Sequence, residues 1–233
     1  GDDATEMMLA CAHANGDEAI YPAKAIAASA TLPQGISRKA AAPAPAAAHS
    51  LEPRLPYKPL DLAEPAELVA AVRKRRGGDL IELDRMLLYS PALTEGWNYY
   101  LNAVRTRLSL APKLGEMVIC TVAVLNRADF EFGQHAPLFV AAGGTAAQTD
   151  ALADPHRAAS STDLFTAAEC AALQLCIEMT TQVQVSEATF ARCREQIEPQ
   201  ALVELVGTIA AYNMVSRFLV ALNIHAQPTS PAG

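Results

Sequence analysis

The sequence has few aromatic residues, no long strand-like pattern and no paired cysteine motif. Aromatic side chains make up 6% of the 233 residues, whereas hydrophobic residues make up 51%. No stretch alternates polar and apolar residues for long enough to form a strand, and the abundant alanine favours closely packed helices. The composition therefore predicts an all-α protein with one sizeable core and about eight to ten helices.

The chain also lacks an excess of basic residues. Its formal net charge is −7, which argues against the positive surface of a nucleic-acid-binding protein. No apolar run approaches the roughly 20 residues that span a bilayer. We therefore expect neither a nucleic-acid partner nor a membrane partner.

The cysteines form no C-x-x-C motif and no pattern typical of a metal or disulfide site. They lie mostly within apolar helical stretches, as reduced core thiols do. Residues 7–12 are too short for the apolar part of a secretory signal, so no targeting segment is predicted. These features predict a cytoplasmic protein without a bound metal. The five cysteines are Cys11, Cys120, Cys170, Cys176 and Cys193.

The first 56 residues differ in composition from the rest of the chain. Residues 22–49 are rich in Ala, Pro and Ser, with almost no helical or strand period. Such a segment is typical of a linker or an extended arm, either disordered or draped over a neighbouring subunit. The chain is therefore divided into an arm (1–56), a helical domain (57–228) and a C-terminal tail (229–233).

Proline, glycine and capping residues delimit the predicted helices. The basic run at residues 73–76, followed by Gly77, is interpreted as the positive C-terminal turn of a helix; a nucleic-acid patch is the weaker alternative. Asp129 is expected to cap a helix that contains Pro137, so we expect either a kink there or an early turn that tolerates proline. The other predicted helix starts are Pro65, Ser90-Pro91, Pro112, the capping box from Thr166 to Glu169, Ser186 and Pro199.

Glu131 and His135 form the main candidate for chemistry. They lie one turn apart if residues 129–142 are helical. A carboxylate beside an imidazole can transfer protons, because each group shifts the pKa of the other. The neighbouring residues are mostly apolar, so these polar groups are expected to lie against the core. The alternative interpretation is a solvated pair on a helix surface.

The stretch from Glu116 to His135 resembles the carboxymuconolactone decarboxylase family, which is related to the AhpD-like alkylhydroperoxidases. In the peroxidase branch, a glutamate is followed after eleven residues by C-x-x-C-x-x-x-H. Here Glu116 and His135 keep that spacing, but Ala128 and Glu131 occupy the cysteine positions. The sequence DFEFGQH (129–135) looks like the E-Y-E-W-x-x-H form of the branch without redox cysteines.

Three further stretches extend the resemblance over about residues 57–225. They are RRGGDLIELDRMLLYSPALTEGWN, AVRTRLSL and ELVGTIAAYNMVSRFLVAL. The resemblance implies an AhpD-like helical fold, assembly into trimers or hexamers, and a reaction without metal or organic cofactor. It also implies a decarboxylase of aromatic catabolism, which removes CO₂ from a small anionic substrate such as a carboxylated lactone.

The resemblance also implies roles for individual residues. His135 would be the general acid, Glu131 would orient His135, and Glu116 would be a relay partner. The candidate substrate-binding residues are Arg127 and Arg217, for a carboxylate, and Trp97 and Tyr212, for the pocket wall.

Three other functions remain open at this point. A peroxidase is disfavoured, because its nucleophilic and resolving thiols would be Ala128 and Glu131. An isomerase or hydratase could use the same pair to move a proton next to a carbonyl. A non-catalytic oligomer that binds small molecules is the third, because a fold does not guarantee an activity.

Overall fold

The computed structural model describes residues 52–225, and every regular element in that range is an α-helix. This confirms the predicted fold class. Most of the proposed arm, residues 1–51, and the proposed tail, 229–233, lie outside the described residues. The ten helices of the described range are α1 (Ala66–Arg76), α2 (Glu82–Leu87), α3 (Pro91–Thr106), α4 (Pro112–Asn126), α5 (Asp129–Ala141), α6 (Ala146–Ala151), α7 (Pro155–Ala158), α8 (Ala167–Thr181), α9 (Glu187–Gln196) and α10 (Pro199–Leu222).

Most predicted helix ends agree with the structure. Proline occupies the first turn of α3, α4 and α10. Thr166 forms its capping box, and the Ser186 side chain accepts a hydrogen bond from the backbone of Thr189. Gly77 ends α1 in the left-handed conformation, with φ at 87°.

One local prediction is wrong, at the start of α5. Asp129 is the first residue of that helix, and Ala128 occupies the N-cap position. The break before it comes from Arg127, which ends α4 in the left-handed conformation with φ at 58°. Pro137 lies inside this helix, as expected, well past the first turn, and the helix continues from Asp129 to Ala141.

Helix α4 is at the centre of the fold. Seven consecutive residues, 117–123, are buried, so the helix has no solvated face over this stretch. It packs against α5, α8 and α10. The tight turn at Arg127 and Ala128 folds α5 back along α4, and this brings Glu116 on α4 beside His135 on α5.

Helix α10 is long and apolar enough, by length and composition alone, to cross a membrane. The expectation that no apolar run approaches that length is therefore wrong for this helix. Nine of its 24 residues are buried, and it packs against α3, α4, α5, α8 and α9. Core packing accounts for the apolar face.

The loop between α8 and α9 is held by one carboxylate. Glu178, on α8, accepts hydrogen bonds from the Ser186 backbone at 2.7 Å and from the Thr189 hydroxyl at 2.6 Å. Gln174 donates a third bond, at 3.0 Å. Burial alone would raise the pKa of Glu178, but the hydrogen bonds, led by that from Thr189, outweigh it and lower the pKa to about 2.

Replacing Glu178 with alanine should lower the free energy of unfolding by about 2–3 kcal/mol, because several charge-assisted hydrogen bonds are lost together. Since the folded-state pKa is depressed, this stabilisation is present above pH 4.5 and disappears as the pH falls towards 2. Urea unfolding at pH 7 and at pH 3 would measure the difference. The exposed Glu195→Ala is the control, and an equal effect of both substitutions would contradict the prediction.

Candidate functional site

A cavity of about 220 Å³ lies where α1, α2, α3, α5 and α10 meet. Its wall combines apolar side chains, arginines and the candidate acid–base residues, as expected of a small-molecule site. The lining residues are Arg75, Arg76, Ile81, Leu83, Trp97, Leu101, Arg105, Phe130, Glu131, Gln134, His135, Leu138, Tyr212, Val215 and Leu219.

His135 is held by Glu116. The distance between His135 Nδ1 and Glu116 Oε2 is 2.6 Å, and the imidazole is buried. Burial lowers the pKa of His135, while the hydrogen bond and charge of Glu116 act in the opposite direction. The neutral imidazole therefore donates from Nδ1–H to the carboxylate, and its lone pair lies on Nε2.

Tyr212 fixes the other side of the imidazole. The two ring centroids are 5.0 Å apart and the ring planes meet at 85°, which is an edge-to-face contact. Tyr212 is 2% exposed, and burial raises its pKa. The phenol therefore stays neutral and contributes shape rather than charge.

Glu131 is a deeply buried carboxyl group at the cavity. It is 2% exposed, and its Oε1 accepts a hydrogen bond from the Ser216 hydroxyl at 2.9 Å. Its Oε2 is buried and has no hydrogen-bond partner within residues 52–225. Burial raises the pKa of Glu131 to about 8, so at neutral pH it is mostly a carboxylic acid with Oε2–H as an unpartnered donor.

In the structure, therefore, the glutamate that contacts the imidazole is not the one that was expected. Glu131 was expected to orient His135, but its hydrogen-bond partner is Ser216. Glu116, nineteen positions before His135 in the sequence, contacts the imidazole instead. The pairing depends on how α5 folds back along α4, and helical spacing cannot report that.

Two arginines at the cavity wall share one buried carboxylate. Asp84, which is 1% exposed, lies 3.0 Å from Arg75 Nη2 and 2.8 Å from Arg76 Nε. Arg76 Nη2 donates a second bond, at 3.0 Å, so that guanidinium is bound in bidentate fashion. Burial and the neighbouring Arg76 lower the pKa of Arg75, and Asp84 opposes both effects.

The structure brings two of the four predicted substrate-binding residues to the cavity. Trp97 and Tyr212 line it, and Trp97 packs against Phe218 with 5.2 Å between ring centroids. Arg127 is exposed and ends α4, and Arg217 is exposed and hydrogen-bonded to Asn213. Neither arginine lines this cavity.

The cavity arginines were missed because the basic run at the end of α1 has an adequate explanation in the helix dipole. Arg75 and Arg76 do lie in the last turn of that helix, but their guanidiniums reach Asp84 on α2. Arg105 and Ser216 gave no sequence signal of their own. The pattern that could have indicated the site is a pair of arginines followed, eight positions later, by an aspartate within an apolar stretch.

The four cysteines of the described range provide no thiolate at the cavity. Cys120 is fully buried, and burial, with the charges of Glu116 and Glu131, raises its pKa to about 12. Cys176 is buried in the same way, and Cys11 lies outside the described residues.

Within the described range no group of three or more His, Cys, Asp or Glu side chains could hold a metal ion. The arrangement instead suits proton transfer between neutral groups.

Replacing Glu116 with glutamine should lower the pKa of His135 further, because Glu116 raises it through a hydrogen bond and a charge. An NMR pH titration of the His135 ring signals, in the wild type and in Glu116→Gln, would measure the shift. The exposed His156 in the same spectra is the control. An unchanged His135 titration would show that the 2.6 Å contact does not persist in solution.

No protein-family model and no curated protein matches the sequence. Several solved structures match the fold. A peroxidase-related protein from Ralstonia eutropha, described as an alkylhydroperoxidase AhpD core, is 16% identical and superposes with a TM-score of 0.64, covering 77% of this chain and 94% of its own. A peroxidase-related protein from Silicibacter is 15% identical, with a TM-score of 0.60 and coverage of 75% and 89%.

A third similar structure is the debrominase Bmp8, in the form of a cysteine variant bound to 2,3,4-tribromopyrrole. It is 14% identical, with a TM-score of 0.63, and the match covers 73% of this chain and 91% of that one. Proteins of this fold thus include peroxidase-related proteins and an enzyme that acts on a small halogenated ring. At these identities the likeness establishes architecture alone. This chain has the all-helical AhpD-like fold.

Proposed function

We propose that this protein is a cofactor-free carboxy-lyase that removes CO₂ from a small carboxylated carbonyl compound, such as a carboxylated lactone. The observation that supports this most directly is the buried Glu131 carboxyl, whose Oε2 has no hydrogen-bond partner within the described residues. A carboxylic acid kept neutral at pH 7 is a proton donor of suitable strength. Three arginines at the same cavity favour an anionic substrate.

The reaction needs an electron acceptor and one proton. The bond between the carboxylate and its carbon breaks, CO₂ leaves, and the electron pair passes through the conjugated double bond to the carbonyl oxygen. In the second step the enolate carbonyl re-forms, and Glu131 Oε2 gives its proton to carbon. The Glu131 carboxylate then recovers a proton from water, so the enzyme returns to its starting state.

The other cavity residues assist these steps. The arginines stabilise the negative charge that develops on the carbonyl oxygen. Trp97, Phe130 and Tyr212 exclude water, which strengthens those interactions. His135 Nε2 accepts a hydrogen bond from the water that returns the proton to Glu131. This assignment makes Glu131 the acid in place of His135, because burial favours the neutral forms of both groups.

The direct test is CO₂ release from 4-carboxymuconolactone, followed spectrophotometrically. We expect turnover by the wild type and a loss of about 10²-fold or more in His135→Ala. His156→Ala, which removes an exposed histidine, is the matched control and should keep full activity. No turnover by the wild type with this or other carboxylated lactones would reject the carboxy-lyase, and a non-catalytic binding protein would become the better account.

A second candidate reaction is isomerisation by proton transfer. The observation that favours it is the opposite direction of the two pKa shifts: Glu131 remains an acid while His135 remains a base. Such a pair could remove a proton next to a carbonyl and return one to another carbon. Exchange of substrate C–H for deuterium in D₂O without loss of CO₂, followed by NMR, would identify it.

A further inference from the structure

A second cavity adjoins the acid–base cavity and is lined mainly by polar side chains. Its volume is about 310 Å³, and it lies between the end of α1 and the last two turns of α3. The two cavities share Arg75, Arg76, Leu101 and Arg105, so they lie on either side of the same side chains. Asn102 and Thr106 complete the outer wall.

This outer cavity has more positive charge than the described chain neutralises. Asp84 is the acidic partner of Arg75 and Arg76, and its two oxygens take up three of their N–H groups. Arg105 is exposed and has no ion pair with any residue in 52–225. Arg75 Nε is buried and also without an acceptor there. Three guanidiniums thus line this cavity, and Asp84 pairs with only two of them.

We propose that the outer cavity binds an oxyanionic group, a carboxylate or a phosphate, that the substrate keeps throughout the reaction. Asp84 orients Arg75 and Arg76 before the ligand arrives, so little side-chain entropy is lost on binding. Arg105, whose side chain is exposed, can close over the anion from α3. Planar guanidinium groups suit both carboxylate and phosphate oxygens.

The claim about the substrate rests on the proposed function. It requires a substrate with two groups, one that reacts and one oxyanionic group that does not. One end reacts beside Glu131 and His135, and the other end is anchored outside. Anion binding itself does not depend on the reaction. The outer group would determine which carbonyl compounds are accepted, because molecules without it would leave Arg105 and the remaining N–H groups unpaired.

Isothermal titration calorimetry with inorganic phosphate and with acetate tests the site in the full chain. We expect saturable binding of at least one probe, and Arg105→Gln should weaken it by about tenfold. Arg107→Gln is the matched control: this arginine lies two positions further on, is exposed and stacks on Tyr99. It should leave the Kd unchanged. Glu131→Gln should also retain anion binding.

Each outcome decides the question. Tighter binding of phosphate than of acetate would identify a phosphorylated substrate, and the reverse would identify a second carboxylate. Absence of saturable binding, or equal Kd values for Arg105→Gln and the wild type, would overturn the subsite. If anions bind as expected but no CO₂ is released from any lactone, the proposed reaction fails while the subsite stands.

Discussion

Replacing Glu131 with glutamine should lower turnover by about 10²–10⁴-fold and, at the same time, stabilise the fold at alkaline pH. Glutamine has nearly the same shape and can still accept the hydrogen bond from Ser216 through its amide oxygen. It cannot give a proton to carbon. The loss of activity would therefore follow from the missing proton rather than from a change in packing.

The gain in stability follows from the sign of the pKa shift. Burial raises the folded-state pKa of Glu131 from 4.5 to about 8. Below pH 4.5 the group is protonated in both states, and between these values only the unfolded chain ionises. The free energy of unfolding of the wild type therefore falls as the pH rises, by up to about 5 kcal/mol above pH 8, and Glu131→Gln escapes that fall.

Urea unfolding at pH 5 and at pH 9, together with the CO₂ assay, would measure both effects. Glu95→Gln, at an exposed position of α3, is the matched control and should change neither quantity. Wild-type activity should decrease above pH 8, where the acid form of Glu131 is lost. Full activity of Glu131→Gln would reject Glu131 as the acid. Equal stability of the wild type and Glu131→Gln at pH 9 would show that burial does not raise the pKa of the Glu131 carboxyl.

Replacing Asp84 with asparagine should lower the free energy of unfolding by about 3 kcal/mol or more, the largest loss of stability that we expect among these substitutions. The substitution leaves the guanidiniums of Arg75 and Arg76 close together without their shared negative charge. It also loosens α1 from α2, because Asp84 is the polar link between these helices. Added phosphate should restore part of the stability by taking the place of the carboxylate.

Asp79→Asn is the control for this prediction. Asp79 is fully exposed, 3.9 Å from Arg73, and solvent screens an ion pair at that distance, so its loss should have little effect on stability. Guanidinium chloride would mask the ionic contribution, so urea is the suitable denaturant. Similar destabilisation by Asp79→Asn and Asp84→Asn would mean that burial of the Asp84 carboxylate adds nothing.

The sequence was most informative where a single residue determines the backbone. Proline at the start of α3, α4 and α10, and Thr166 at the start of α8, predicted the helix starts because these residues act within one turn. Arg127 shows the limit of this reasoning. This non-glycine residue ends α4 in the left-handed conformation, whereas the sequence favours the neighbouring Asp129 as the cap.

The sequence predicted that the acid–base residues lie together, but not which of them form hydrogen bonds with each other. Glu116, Glu131 and His135 do come together at one region of the core, as the resemblance implied. Which glutamate contacts the imidazole depends on the register between α4 and α5 and on Ser216, contributed by α10. The arginines depend on packing of α1 against α2 and α3. The spacing of residues along the sequence does not show how these helices pack against one another.

The first described residues bind the end of the last helix. Arg54 donates to the carbonyl groups of Leu222 and Ala221, and Asn223 donates to the carbonyl of Glu52. The ends of the 52–225 segment are thus neighbours, so a short linker between them would give a circular permutant. The new termini of such a permutant could be placed in the turns near residues 160–163, away from the cavity. This cut would leave the segment that carries both the acid–base residues and the arginines uninterrupted.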